Sequence, residues 1–228
     1  MLERILFPPV AVAEVFHDPA DAVPLREEEP VLRRATDKRR REFTTVRWCA
    51  RRALAGIGEG PHPLLPDDAG APRWPGGVVG SMTHCDGYRA AAVARTGGCR
   101  ALGIDAEPDR PVAGVVLDVV ALPGELRRLA ALREAEPQIA WDRLLFSAKE
   151  AVYKTWYPLT GRPLGFHQAD ITLLRDGTFT AELAPSLPRS DPDAFAGRWT
   201  SGRGLLVTVI AVPGDGRQPP GPRSTRTA

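Results

Sequence analysis

The sequence predicts a protein that combines long amphipathic helices with antiparallel strand pairs, and three observations carry that prediction. Two stretches, Val31 to Ile57 and Trp141 to Tyr157, repeat apolar residues at spacings of three and four, the period of one buried helix face. Two Asp-Gly turns, in Cys85-Asp-Gly87 and Arg175-Asp-Gly177, each lie between runs of strand type, which is a hairpin signal. Two further apolar runs, Arg100 to Glu107 and Gly204 to Val212, read as strands.

Taken in order, Ile5 to Val15 reads as a short extended segment and Asp18 to Pro30 as an acidic, proline-punctuated loop. In the helix from Val31, Phe43, Val46, Ala50, Ala53, Leu54 and Ile57 make the apolar stripe, and Gly56 and Gly58 mark its stop. Gly60 to Gly77 is a Pro- and Gly-rich loop. The first hairpin pairs Val78 to His84 with Tyr88 to Arg95. The strand from Arg100 to Glu107 ends at Pro108; its alternation puts Gly103, Asp105 and Glu107 on one side and Leu102, Ile104 and Ala106 on the other. A loop from Asp109 to Gly114 and a helix near Glu125 to Ala135 follow. Trp141, Leu144, Leu145, Ala148 and Val152 bury one stripe of the next helix, which Pro158 is expected to close because it has no N–H to continue the ladder. The second hairpin pairs Ala169 to Leu174 with Thr178 to Leu183, and the tail from Gly214 to Ala228, without an apolar anchor, is expected to be disordered.

With 228 residues the chain suffices for one large domain or two half-sized ones. Its net charge of +2 commits it to neither nucleic acid nor membrane. Cys49, Cys85 and Cys99 form no Cys-x-x-Cys and no zinc spacing, so free thiols and a cytoplasmic location are expected. The apolar N-terminal residues are interrupted by Glu3, Pro8, Pro9 and Glu14, and no run reaches the roughly 20 residues of a membrane span. No repeat of solenoid period is present; a duplication into two similar halves stays open.

Several clusters carry chemistry. Asp105 and Glu107 project together from one strand, and Glu150 stands on the polar face of the 141–157 helix with Arg143, Ser147 and Lys154, Lys149 lying at its margin. Magnesium takes oxygen ligands, typically a few carboxylates with substrate phosphates, so Asp105, Glu107 and Glu150 suit a hard cation, and Gly103 on the same face leaves room for a ligand. Glu150 and Lys154 alone would be an ordinary helix pair worth about 0.2–0.5 kcal/mol. Arg33, Arg40, Arg47 and Arg51, flanked by Arg41, form a basic ridge on the first helix with only Asp37 against it, a density that calls for an anion. Ser81 and His84 fall on opposite faces of a strand, which argues against a hydrolase dyad and for phosphate contacts. Trp74, Tyr88, Trp141, Trp156 and Trp199 read as core or rim packing. By residues alone, three functions stand nearly level: a magnesium-assisted transferase, a nucleic-acid-binding module using residues 33–52, and a magnesium-dependent phosphohydrolase of nucleotides.

Three blocks separate these readings. Gly80-Ser-Met-Thr-His-Cys-Asp-Gly-Tyr88, Leu102-Gly-Ile-Asp-Ala-Glu-Pro108 and Phe146-Ser-Ala-Lys-Glu-Ala-Val-Tyr-Lys154, in this order, resemble the signature blocks of the surfactin-synthetase-type (Sfp-type) 4'-phosphopantetheinyl transferases. Glu42-Phe-Thr-Thr-Val-Arg-Trp-Cys-Ala-Arg51 and Trp141-Asp-Arg-Leu-Leu145 are similar to the actinobacterial branch.

The resemblance implies an α+β fold of two similar subdomains related by a pseudo-twofold axis, residues 1–108 and 109–213, with the active site between them. It implies transfer of 4'-phosphopantetheine from coenzyme A to the acceptor serine of apo acyl or peptidyl carrier proteins of fatty-acid, polyketide or nonribosomal-peptide synthases. Adenosine 3',5'-bisphosphate is the by-product. Asp105, Glu107 and Glu150 match the Mg2+ ligands (Mn2+ being the alternative), and Glu150 also the general base, working with Lys154, Asp105 and His84. Arg39, Arg47, Arg51, Arg73, Ser81, His84, Lys149 and Lys154 match or stand in for coenzyme A contacts. One departure is the loop Leu65-Pro-Asp-Asp-Ala-Gly-Ala-Pro72, which has no Lys where relatives often carry one; Arg73 is the substitute offered. No nucleic-acid or membrane partner is expected, and a monomer is.

Overall fold

The computed structural model describes residues 1–187 and 193–214; the tail beyond Gly214 lies outside the described residues. Within them, two halves repeat one plan: a helix of 20 residues laid across an antiparallel sheet.

In the first half the order is β1 (Ala11–Val15), β3 (Tyr88–Arg95), β2 (Val78–Cys85), and helix α1 (Asp37–Gly56) covers β1 and β3. Strand β3 is buried on both faces, which its small residues permit. Ala91 and Val93 pack with Cys49, Ala50, Ala53 and Leu54 of α1, while Ala90, Ala92 and Ala94 face a second core with Leu102 and Ile104. The helix starts at Asp37 and not near Val31, because the Thr36 side chain caps it, accepting from Arg39 N at 3.3 Å. Val31 sits in a separate 3-10 turn, Glu29–Leu32, so Arg33 leaves the expected ridge.

The second half orders its strands β4 (Cys99–Pro108), β8 (Leu205–Pro213), β7 (Ala194–Gly202), β6 (Thr178–Leu183), β5 (Ala169–Leu173). Strand β4, placed by sequence with the first half, is hydrogen-bonded to β8. Its other edge meets β2 through side chains: Ser81 Oγ and Thr83 Oγ1 accept from Ile104 N and Ala106 N, each at 3.0 Å. Hydroxyls thereby satisfy backbone donors where no ladder forms, and they splice the halves together. Two elements were not anticipated, the short helix α2 (Gly114–Val120) and strand β7; a helix α3 (Pro123–Ala135) stands near its expected place.

Helix α4 (Trp141–Thr160) crosses β4 and β8, with Trp141, Leu144, Leu145, Ala148 and Val152 in its core. It runs through Pro158, against expectation. The missing N–H costs one bond near the helix end, and Gly161, in left-handed conformation at φ 65°, closes the last turn by donating to Tyr157 O at 2.8 Å. Gly103 serves this packing. A Cβ there would come within 2.1 Å of Ala151 O and 2.2 Å of Thr155 Oγ1, so the space expected for a ligand is filled by the helix itself. No helix among the described residues is long and apolar enough to cross a membrane.

Candidate active site

Between the halves lies a cavity of about 490 Å³, walled by α1, β2, the 67–74 loop and α4. Another cleft, of about 280 Å³, lies away from the sequence blocks against Ile5 to Val10 and the ends of β7 and β8. The larger cavity gathers Arg39, Arg47, Arg73, Ser81, His84, Glu150 and Lys154, all of them sequence candidates. Arg51 and Lys149 are not part of its wall, and neither are Asp105 and Glu107, which lie behind Lys154 and Arg143.

The arginines of α1 have divided roles. Glu28, fully buried, accepts from Arg51 at 3.1 and 3.2 Å and from Leu64 N at 2.9 Å, and its carboxylate is 4.0 Å from Arg47. Arg40 pairs with Glu29 at 3.2 Å and Arg41 with Asp18 at 3.8 Å. The ridge is thus offset largely from within the chain, by acidic residues that sequence reading left in a loop. Arg51 turns to Glu28. Arg47 reaches the cavity while its Nε donates to Leu64 O at 2.7 Å; burial lowers its pKa to about 10, opposed by Glu28. Arg39 is exposed, on the same wall, and its guanidinium stands 3.1 Å from His84 Nε2.

Arginine can only donate, so this contact makes Nε2 the acceptor and puts the imidazole proton on Nδ1, which faces Glu42 at 3.8 Å. Burial holds His84 below its usual pKa; Glu42 opposes that, and Arg39, Arg89 and Lys154 add to it. Ser81 lines the cavity, but its oxygen already accepts from Ile104 N.

On the opposite wall Lys154 Nζ donates to Asp105 Oδ1 at 2.7 Å and to Ile104 O at 3.1 Å. Glu107 accepts from Arg143 at 3.0 Å. Burial raises the pKa of Glu107 and of Glu150, and in both the next cause is the neighbouring charge of Asp105; Arg143 relieves the first and Lys154 the second. Asp105 Oδ2 is buried with no hydrogen-bond partner. The sequence predicts that the three carboxylates converge on one point. Here they share a field, but among the described residues no three such side chains are close enough to enclose an ion, and Asp105 and Glu107 have turned to Lys154 and Arg143.

Lys149 is held by partners within the protein. It is buried, pairs with Glu125 at 2.9 Å, and donates to Phe166 O at 2.7 Å and Ala169 O at 2.9 Å. Glu125 in turn accepts from Leu122 N and Ile171 N, both at 2.7 Å. This strut joins α3, α4 and β5 directly behind Glu150. Lys149 itself lines, with Leu164 and Phe166, a second cavity of about 210 Å³ that shares Glu150 and Tyr153 with the first. Sequence reading missed Tyr153, Tyr157 and Asp67 as cavity residues; only their helical phase to Glu150 and the turn chemistry of the loop point to them.

A cavity with cations along one wall and carboxylates behind the other, next to a second cavity that shares a glutamate with it, has the composition of a site for a phosphorylated ligand. Residues 27–94 match the family model of the 4'-phosphopantetheinyl transferase N-terminal domain, and residues 101–194 that of the 4'-phosphopantetheinyl transferase superfamily. The 4'-phosphopantetheinyl transferase Svp of Streptomyces mobaraensis is 53% identical over 215 residues, 91% of this chain and 87% of that protein. The corresponding figures are 44% identity over 93% and 96% for PptT of Mycobacterium tuberculosis, and 45% over 92% and 99% for Npt of Nocardia iowensis. The chain belongs to the 4'-phosphopantetheinyl transferase family, in its Sfp-type, actinobacterial branch.

Proposed function

We propose that this transferase cuts coenzyme A at the junction of its two cavities. The observation that carries the reading is the sharing of Glu150 and Tyr153 by both. Coenzyme A has a base-and-phosphate half and a pantetheine half joined by a pyrophosphate. The larger cavity, with Arg39, Arg47, His84 and Lys154, suits the phosphorylated half; the smaller, with Leu164 and Phe166, suits the pantetheine arm. The pyrophosphate then falls beside Glu150.

The acceptor is the serine hydroxyl of an apo acyl or peptidyl carrier protein. Its oxygen bonds to the β-phosphorus, the bond from that phosphorus to the bridging oxygen breaks, and adenosine 3',5'-bisphosphate leaves. Glu150, whose raised pKa moves it toward the working pH, takes the serine proton, a role worth about 10²- to 10⁴-fold. Lys154 and His84 face the oxygens on which charge develops. Arg39 leaves the His84 ring to bind phosphate, which frees Nε2 for a proton and a second charge-assisted contact. The all-oxygen donor set of Asp105, Glu107 and Glu150, with Asp105 Oδ2 unpartnered, has the chemistry Mg2+ or Mn2+ takes; with Lys154 and Arg143 turned aside these residues would hold the ion, which would supply charge neutralisation at the pyrophosphate. The protein is proposed to act as a cytoplasmic monomer without nucleic acid.

Incubation of an apo carrier protein with coenzyme A, Mg2+ and this protein, followed by mass spectrometry, tests the reading. The carrier gains one phosphopantetheine. Breakdown of coenzyme A with the carrier omitted would instead mark a phosphohydrolase.

A further inference from the structure

The larger cavity is closed at one end by a contact between the two halves of the molecule that the catalytic residues do not use. Asp67 organises the 65–73 loop: its Oδ1 accepts from Ala69 N at 2.9 Å and Ala71 N at 2.8 Å, while its backbone N–H donates to Ala71 O at 2.8 Å. Arg73 N closes the loop on Leu65 O at 2.9 Å. One oxygen of the carboxylate, Oδ2, is left over. It accepts from the hydroxyl of Tyr157 on α4 at 3.3 Å, and the Tyr157 ring is stacked on that of Tyr153, with centroids 6.0 Å apart and planes at 17°. Asp67 and Tyr157 both line the cavity.

We propose that Asp67 and Tyr157 are positioning residues, a latch that holds the 65–73 loop of the first half against α4 of the second and so shapes the end of the cavity that takes the base of coenzyme A. This rests on the reading that coenzyme A is the substrate. A hydroxyl bonded to a carboxyl oxygen suits the task, because the loop has few apolar anchors of its own and this bond crosses from the loop to α4. The backbone groups of Ala69 to Arg73, fixed by Asp67, then present a rigid edge to the base. That arrangement needs no lysine in the loop.

The test compares Tyr157→Phe, Asp67→Asn and Asp67→Ala in the full chain. Tyr157→Phe removes only the hydroxyl. It should raise KM for coenzyme A about fivefold to tenfold, as expected for loss of one such bond, with kcat and KM for the carrier within about twofold. Inhibition by adenosine 3',5'-bisphosphate should weaken by the same factor, and inhibition by inorganic pyrophosphate, which reaches the phosphate end alone, should not change. Asp67→Asn retains an acceptor for the two amides and offers Tyr157 a donor, so it should stay close to wild type. Asp67→Ala should behave like Tyr157→Phe or worse. An unchanged KM for coenzyme A in Tyr157→Phe overturns the latch, as does equal weakening of pyrophosphate inhibition. Failure of the transferase reading is a different result, since then the unaltered protein modifies no carrier.

Discussion

Replacing Lys149 by Met separates two roles for this residue, as a contact to coenzyme A or as a buried strut. Lys149 and Glu125 are each about 1% exposed in their side chains and 2.9 Å apart. Removing the ammonium leaves a buried carboxylate without its counter-charge and strips a donor from Phe166 O and Ala169 O. Breaking a buried pair from one side costs about 3–5 kcal/mol. At roughly 2–4 °C per kcal/mol for a chain of this size, the melting temperature should fall by about 10 °C. Urea unfolding and calorimetry measure both quantities. A double variant, Lys149→Met with Glu125→Gln, should recover part of the loss, because no uncompensated charge remains. Lys149 also borders the smaller cavity, so KM for coenzyme A should rise by no more than about threefold at a temperature where the variant is folded, less than the loss of a charged phosphate contact would give. Unchanged stability with a raised KM would refute the strut and return Lys149 to the phosphates.

Four further variants test the site and its supports. Glu150→Gln should abolish transfer while keeping coenzyme A binding by calorimetry, and near-normal transfer would sink its assignment as base. The same variant should also be more stable than the parent at pH 7 to 8. A raised folded-state pKa means that the native protein binds more protons than the unfolded chain as pH rises past the usual carboxylate range, so the wild type loses stability there. The two proteins should converge near pH 4, and a constant difference at all pH values would contradict the burial argument. Gly103→Ala forces a Cβ to within 2.1 Å of Ala151 O, and a loss of about 3 kcal/mol is expected in urea titration. Arg39→Gln should raise KM for coenzyme A about tenfold with little change in melting temperature, whereas Arg51→Gln, which strands the buried Glu28, should lower stability by about 3 kcal/mol.

Much of the architecture was legible in the sequence, because it is encoded by neighbours along the chain. The Asp-Gly turn after Cys85 fixed a hairpin whose strands end within a residue of the expected bounds, and the spacing of Trp141, Leu144, Leu145, Ala148 and Val152 set both the phase and the buried face of α4. The same phase put Glu150 and Lys154 on one polar side, and the three sequence blocks gave the family. Strand β7 escaped notice because its segment, Ala194–Gly202, alternates Phe195 and Trp199 with small and polar residues, and its hairpin to β8 turns on Arg203-Gly204 and not on Asn-Gly or Asp-Gly. Pro158 marks a helix end too early because a missing N–H is tolerated one turn before a left-handed glycine cap.

What only the tertiary structure decided is which partner each charge takes. Sequence placed Arg47 and Arg51 a single turn apart on one ridge, yet Glu28, from a distant loop, claims Arg51 and leaves Arg47 at the cavity. It placed Lys149 next to Glu150, and both line the smaller cavity, but the Lys149 ammonium is held by Glu125. It read Gly103 as room for a ligand, and α4 occupies that room. Helical and strand periods specify the direction of a side chain from its own backbone. A charge is satisfied by whatever lies within about 4 Å in space, and that is set by the docking of elements far apart in the chain.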